Sequence, residues 1–411
     1  MDAISIGQTI SALRRKAGLT QTALAEKLHI SAKTVSKWEN GQGYPEITQF
    51  PALANVFGVS VDYLMTGQRK GIVFAGNIIA DIVKTVDCYP EIGMLANITA
   101  VSRAIGGSVP NTAVDVARID RRVPLAACGR VGDDENGQFV VGQMNRYGID
   151  TTRVLTDKTL PTAFSDVISL STGERTFFTT GGANAVFSPE DVDLSTMQAA
   201  ILHIGYILLL DKFDQPDEEY GTVMARFLHD VQARGIKTSF DVVSNSVADY
   251  KKTILPVLKY CDYCIINEVE SSRVSDLSPY KEDGSLDVEN IRKTMQLLAD
   301  GGVKEKVVVH CKEAGFCLDV ATGKFTAVPS LAIPKEKICG SVGAGDAYCA
   351  GCLYSLYNGY EDQYMLEFAS AVAGSSLFAD NSTDGVLTKE ELEQMLKTSG
   401  RLDIPALKDY Q

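Results

Sequence analysis

Gly340-Ser341-Val342-Gly343-Ala344-Gly345-Asp346-Ala347-Tyr348-Cys349-Ala350-Gly351 is a glycine-rich turn running straight into small and apolar residues that can carry a helix. Glycines at 340, 343 and 345 let the backbone turn tightly and bring its N–H groups close to a ligand. The helix that follows aims the positive end of its dipole at the same point, which favours an anion there. Asp346 falls on the first turn beside this cradle. An alcohol bound there can lose its proton to the carboxylate while its oxygen attacks a phosphoryl group. The alternative is a plain loop with Asp346 as a helix cap, and only the rest of the chain decides between them.

The chain has 411 residues, 45% hydrophobic and 22% charged, which predicts globular structure and two domains. No run approaches eighteen uncharged apolar residues, and no basic-then-apolar secretory pattern opens the chain, so it reads as cytoplasmic with no membrane partner. Nine cysteines without such a leader predict reduced thiols. Cys261-x-x-Cys264 and Cys349-x-x-Cys352 lie in apolar surroundings and read as core, not as zinc ligands. No directly bound metal is expected, and the scattered His29, His203, His229 and His310 receive no chemical role.

Charge divides unevenly: residues 1–70 carry a balance of +3 and the remainder −16. An acidic protein with a mildly basic N-terminal module predicts that only the module touches a polyanion. In that module Ile6, Ile10 and Leu13 fall at helical spacing, basic residues close the helix and Gly18 stops it. Thr20 caps a second helix over 21–28, and Ser31 a third over 32–39. Two short helices with a tight turn between them are a helix-turn-helix.

The string from Leu19 to Gly67 closely resembles the XRE/Cro-type repressor domain, over about residues 4–66. The resemblance implies a five-helix bundle with Leu24, Leu28, Val35, Trp38, Leu53, Ala54, Phe57 and Leu64 in its core. It also implies that Gln21 meets a phosphate or base of double-stranded DNA, and that Ser31, Ala32, Lys33, Thr34, Ser36 and Lys37 face the major groove. One such module makes few phosphate contacts, so a homodimer on a two-fold-symmetric operator is expected. The competing reading is a helical bundle that only assembles partners.

Gly67-Gln68-Arg69-Lys70 is short and polar, and the linker is placed at 67–72 between domains at 1–66 and 73–411. Gly71-Ile72-Val73-Phe74-Ala75-Gly76 reads as the opening strand of an α/β domain. Beyond Asp81, Ile82–Val86 and Ile98–Ser102, with a hairpin from Thr162–Ile168 and Thr176–Thr179 turning at Ser171–Glu174, suit a small sheet that serves as a lid or a dimer interface. Strands at Ala200–Ile204, Lys237–Asp241 and Cys264–Ile266 alternate with helices, one near 217–234, which predicts a mainly parallel sheet covered on both faces.

The segment at 340–346 resembles the signature Asp-Thr-x-Gly-Ala-Gly-Asp of the ribokinase-like (PfkB-type) carbohydrate kinases. Gly106-Gly107-Ser108-Val109-Pro110-Asn111 matches an upstream motif of that family, and the likeness spans about residues 71–398. It implies a three-layer α/β/α sandwich with a small β lid, using ATP and Mg²⁺ on a sugar or related polyhydroxylated molecule. Asp346 would be the general base and the amides of Gly343, Ala344, Gly345 and Asp346 the anion hole. Asp81, with Gly106, Gly107 and Asn111, would grip sugar hydroxyls, Asn111 offering both donor and acceptor. Asn267 and Glu270 match Asn-x-x-Glu, so Glu270 would organise Mg²⁺ through water. Related kinases have Thr-x-Gly-x-x-Gly near 310–315. Here only Gly315 survives, with Lys312 at the first glycine's place facing the nucleotide phosphates. Asn381 follows the helix bordering adenine. Gly340 replaces the usual aspartate and Val342 a hydroxylated position, so no clear potassium dependence is expected. Ile79 argues against ribose, leaving fructose, a ketodeoxy sugar acid or a nucleoside. The fusion reads as a sugar-responsive transcriptional regulator with an active kinase domain; a catalytically inactive sugar sensor, or a metabolic kinase with an assembly module, are the alternatives.

Overall fold

The computed structural model describes residues 3–410 apart from 58, 60, 67–69, 171–173 and 245–248. It divides into two compact units between Lys70 and Gly71. Half of the expected linker (67–69) and most of the expected lid turn (171–173) lie outside the described residues. The linker does not extend to residue 72, because Gly71 and Ile72 already pair in the first strand of the second unit.

The first unit holds α1 (Ala3–Lys16), α2 (Gln21–Lys27), α3 (Ala32–Glu39), α4 (Gln49–Phe57) and α5 (Val61–Thr66). Helical periodicity brings Ile6, Ile10 and Leu13 to one side, where they meet Leu24, Leu28, Val35, Trp38, Leu53, Ala54 and Leu64 in one core with Phe57 at its margin. Gly18 ends α1 with φ 67°. The Thr20 hydroxyl accepts from Ala23 N, and the Ser31 hydroxyl from Thr34 N, so both helices start on their expected caps. At Gly7 a Cβ would stand 2.0 Å from the Trp38 carbonyl oxygen, so only glycine lets α1 and α3 pack this closely.

The second unit runs β1 (Gly71–Gly76), β2 (Ile79–Val86), β3 (Ile98–Gly106), α6 (Ser108–Ile119), β4 (Leu125–Gly132), α7 (Glu135–Arg146), β5 (Asp150–Asp157), β6 (Phe164–Leu170), β7 (Arg175–Thr180), β8 (Ala199–Ile207), β9 (Pro216–Asp217), β10 (Gly221–Thr222) and α8 (Val223–Ala233). It continues with β11 (Lys237–Val242), α9 (Tyr250–Leu258), β12 (Tyr263–Asn267), α10 (Glu268–Ser275), α11 (Val288–Asp300), β13 (Lys306–His310), β14 (Ala314–Asp319), β15 (Phe325–Pro329), α12 (Ala344–Asn358), α13 (Asp362–Ser376) and α14 (Lys389–Thr398).

Nine strands form the main sheet in the order β15-β14-β13-β12-β11-β8-β1-β4-β5. Its neighbours pair in parallel except around β14, which is antiparallel to both β13 and β15. Alternation along each strand feeds two separate cores. Ile72, Phe74, Ile201, Ile265 and Val308 join α6, α12 and α13 on one face. Val73, Ala75, Leu202, Ile266 and Val307 join α8, α9 and α11 on the other. The result is the expected three-layer α/β/α sandwich, whose strands read as near-continuous apolar runs because both faces are covered. The helix expected near 217–234 begins only at Val223. Before it, Asp217 accepts backbone N–H groups from Glu219 and Tyr220 and ties the β9–β10 hairpin. A second sheet, β3-β2-β6-β7, forms the lid, with β2 and β6 parallel and the outer pairs antiparallel.

Candidate active site and helix-turn-helix surface

The parallel strands β8, β11, β12 and β13 all end on one side, where Tyr206, Asp241, Asn267 and His310 sit at or just before the last strand residues. Ligands collect at this edge of an open α/β sheet. The tip of α12 points into it. Gly343 takes φ 79°, a conformation strained for any residue with a Cβ, and a Cβ there would also stand 2.6 Å from Ser382 Cβ. Gly345 is exposed, and a Cβ on it would meet nothing nearer than His310 Cε1 at 3.9 Å. The first-turn N–H groups of a helix lack intrahelical partners. That of Ala344 nevertheless bonds back to the Ser341 carbonyl at 3.3 Å, so of the four expected amides this one is already engaged.

Asp346 is buried on that first turn, and its Oδ2 accepts from Asn111 Nδ2 at 2.8 Å and from the Tyr206 hydroxyl at 2.9 Å. Residues 235 positions apart are thus in direct contact. Burial, then the charge of Asp241, push the Asp346 carboxyl up to about 7, against the two hydrogen bonds. A carboxyl poised there can take a proton at neutral pH. Asp81 contributes to the same field. Its own carboxyl is pushed up to about 6 by burial, opposed by a Ser165 hydrogen bond and the Arg175 charge. Gly106 makes room for it, since a Cβ there would stand 2.5 Å from Asp81 Oδ2. Gly107 opens α6 with φ 84°, and a Cβ would strike the Asn77 carbonyl oxygen at 2.6 Å. Asn111 Oδ1 is buried without a hydrogen-bond partner, so one acceptor remains for a ligand.

Two hollows flank the α12 tip. One, about 280 Å³, is lined by Asp346, Tyr206, Asp241, Ser244, Glu270 and Cys349, among others. The other, about 390 Å³, reaches toward Glu268, Lys312, Tyr348, Ala373 and Leu377. Both share Asn267, His310, Ser341, Ala344 and Gly345. A group bound on one side can therefore meet a group bound on the other across the helix tip.

Other expected residues take different places. Asn267 and Glu270 form a capping box at the start of α10: Glu270 accepts from Asn267 N at 3.0 Å, Asn267 Nδ2 at 2.8 Å and the Ser244 hydroxyl at 3.0 Å. Burial pushes the Glu270 carboxyl up to about 8. Lys312 is exposed at the mouth of the larger hollow and pairs loosely with Glu313 at 3.4 Å. Gly315 does not line that hollow. A Cβ on it would stand 1.9 Å from the Tyr348 hydroxyl, so its role is to let Tyr348 pack. Asn381 is also elsewhere: it bonds Asp384 in a tight turn and lines a small hollow with Arg103 and Phe139.

Three site residues carried no sequence assignment. Asp241 ends a strand that the periodicity shows, and the carboxyl-end rule alone would have flagged it. His310 ends β13, stacks on Tyr348 with centroids 4.5 Å apart, and is driven down to about 4 by burial, so it is neutral near pH 7. Tyr206 takes φ 61° with its N–H held by Asp241 Oδ1 at 2.6 Å, and nothing in the sequence announces that strained backbone.

In the first unit Arg14 grips Glu39 with Nε at 2.5 Å and Nη2 at 2.8 Å. Burial pushes the Glu39 carboxyl up, but hydrogen bonds from Arg14 and Gln21 outweigh it and leave it below the usual range. Gln21 donates one amide N–H to Glu39 at 2.9 Å, which leaves its second N–H and its carbonyl oxygen for the expected contact with DNA. Thr34 shares a hydrogen bond with Ser31 at 2.8 Å, and Ser36 accepts from Asn40 at 3.3 Å. Lys33 and Lys37 remain exposed on α3.

A buried carboxylate at a helix tip, between two hollows at the carboxyl edge of a parallel sheet, is an arrangement that can activate a hydroxyl for group transfer. The pattern of the pfkB family carbohydrate kinases matches residues 69–389, and a helix-turn-helix pattern matches residues 10–64. The chain belongs to the pfkB family of carbohydrate kinases, enzymes that transfer phosphate from ATP to a sugar, with a helix-turn-helix domain fused in front. It is 26% identical over 307 residues to the 5-dehydro-2-deoxygluconokinase of Geobacillus thermodenitrificans, covering 72% of this chain and 85% of that protein. It is 24% identical over 348 residues to fructokinase-1 of Zea mays, covering 81% and 99%. Among solved structures, the ribokinase of Thermotoga maritima superposes with a TM-score of 0.66 at 20% identity, covering 80% of this chain and all of that one. The Arabidopsis thaliana ribokinase complexed with ribose and ATP gives 0.65 at 20% identity. No helix among the described residues is long and apolar enough to cross a membrane.

Proposed function

We propose that the chain is a sugar-responsive transcriptional regulator whose kinase domain phosphorylates a hydroxyl of a sugar or sugar acid with Mg·ATP. The observation that carries this reading is the Asn111–Asp346 contact at 2.8 Å, beside an Asn111 oxygen with no partner. A buried acceptor left unpaired costs roughly 1–3 kcal/mol, and a substrate hydroxyl donating to Asn111 Oδ1 recovers it. A neighbouring hydroxyl of the same acceptor would then lie against the Asp346 carboxylate, which would take its proton.

The larger hollow fits a nucleotide, since the exposed Gly345 leaves open space beside first-turn amides and Lys312 stands at the mouth. When bound, Mg·ATP supplies the phosphoryl group, with the cation offsetting its charge. On the protein side, Asp346 receives the hydroxyl proton, Asn111 and Asp81 fix the acceptor, and the Gly345 and Asp346 amides favour negative charge at the tip. Asn267 and Glu270, joined in their capping box, would hold the cation through water, and a nearby dication would favour the ionised form of Glu270. Lid closure over the acceptor would exclude water.

Exposed apolar residues on the lid face opposite Asp81, Val101 and Phe178, with the exposed Ile92 and Leu95 between β2 and β3, support pairing of two copies through this sheet. Two copies would place two α3 helices on a two-fold operator, with Lys33 and Lys37 toward the DNA.

An acceptor screen tests the kinase half: fructose, 5-dehydro-2-deoxygluconate, other sugar acids and nucleosides with Mg·ATP. At least one hexose or sugar acid should accelerate ATP consumption and appear phosphorylated. A compound that raises Tm without any turnover would favour the inactive sensor, a reading to which the loss of glycine at Lys312 lends weight.

A further inference from the structure

Three side chains stand behind Asp346: His203 and Cys349, to which phosphoryl transfer as described gives no part, and Asp241, which it uses only through its charge on Asp346. His203 on β8, Asp241 at the end of β11 and Cys349 one turn along α12 are all buried, and their ligating atoms lie within 4.8 Å of one another. His203 Nε2 faces Asp241 Oδ2 at 3.5 Å and Cys349 Sγ at 3.8 Å. The first separation is long for a hydrogen bond. Both are close to the roughly 3.3–3.6 Å between ligand atoms of a tetrahedral ion bound at about 2.0–2.3 Å. The remaining polar atoms of the set are tied: His203 Nδ1 meets the Ser239 hydroxyl at 3.1 Å, and Asp241 Oδ1 accepts the Tyr206 N–H at 2.6 Å. Such outer partners fix ring and carboxylate orientation at metal sites.

We propose that His203, Asp241 and Cys349 bind one borderline-soft divalent transition metal of the Zn²⁺ class, with the fourth position open to the hollow that Asp346 shares. A nitrogen, oxygen and sulfur donor set selects against hard Mg²⁺. Binding displaces the Cys349 thiol proton to solvent, and the thiolate then forms the metal–sulfur bond. The site is independent of the kinase reading, since it would bind metal whether or not the enzyme turns over.

Co²⁺ is the probe, added to the metal-stripped full chain in Mg²⁺ buffer, with loose metal removed by gel filtration. One retained equivalent with a thiolate-to-cobalt charge-transfer band, unaffected by excess Mg²⁺, is expected. The band should survive Cys88→Ser/Cys339→Ser, which removes the two exposed thiols, and vanish in Cys349→Ser and His203→Gln. No retained metal in the wild type, retention without a thiolate band, or a band that disappears with Cys88 and Cys339 would each overturn the site. These wild-type and exposed-thiol measurements decide the matter even if Cys349→Ser fails to fold.

Discussion

Asp346→Asn should lower kcat by roughly 10²–10⁴-fold while acceptor binding persists. Asparagine keeps an oxygen that can accept from Asn111 and Tyr206, so the two hydrogen bonds at 2.8 and 2.9 Å survive and the acceptor still finds its shape. What is lost is the carboxylate placed to take the proton. Stability moves the other way. Burial and the Asp241 charge raise the Asp346 carboxyl from 3.8 to about 7, so its contribution to stability is fully present below the unfolded value and is lost as pH rises through about 7. The neutral side chain escapes that loss. At pH 8 the variant should therefore unfold at a higher temperature than the wild type, with the two converging toward pH 4. Parallel rate profiles and thermal melts check both halves, and a rate loss under tenfold would place the base elsewhere.

Lys33→Ala/Lys37→Ala should weaken operator binding by about 10²–10³-fold at physiological salt, since a dimer loses four cationic contacts. The slope of log affinity against log salt should flatten by roughly 3–4 for the same reason. Both lysines are exposed on α3 and the unit's core does not use them, so folding and kinase turnover should be unchanged. Retention on DNA fragments across a salt series is the measurement. Unaltered binding would leave the helix-turn-helix as an assembly module. Operator affinity that is the same with and without saturating acceptor would separate the two activities that the regulatory reading joins.

What the sequence made legible follows from which physics is local. Caps at Thr20 and Ser31, the glycine stop at Gly18 and the alternation in β1 depend on near neighbours, and they reappear in the structure residue for residue. The Gly106–Gly107 turn and the α12 tip were visible because positive φ and close approach leave glycine as the residue of choice. Long-range juxtaposition was legible only through family likeness. Nothing local in Tyr206 says that a strained backbone will turn its hydroxyl onto Asp346, or that Asp241 will set the charge around it. The same limit explains the displaced residues. Gly315 and Asn381 occupy plausible positions in a motif, yet Tyr348 fills the space beside the first, and a turn with Asp384 absorbs the second. The buried His203–Asp241–Cys349 cluster draws on three separate elements, and no spacing rule connects them.

The proton acceptor is tested most directly by the pH dependence of kcat/KM for a working acceptor, in the wild type and in Asp241→Asn. With Asp346 as the base, the wild-type rate should rise through an apparent pKa of about 7. Removing the neighbouring negative charge favours ionisation, so that limb should move to lower pH in Asp241→Asn. A wild-type profile flat between about pH 5 and 8, or a limb that stays in place when the Asp241 charge is removed, would contradict the assignment of Asp346 as the group that takes the proton.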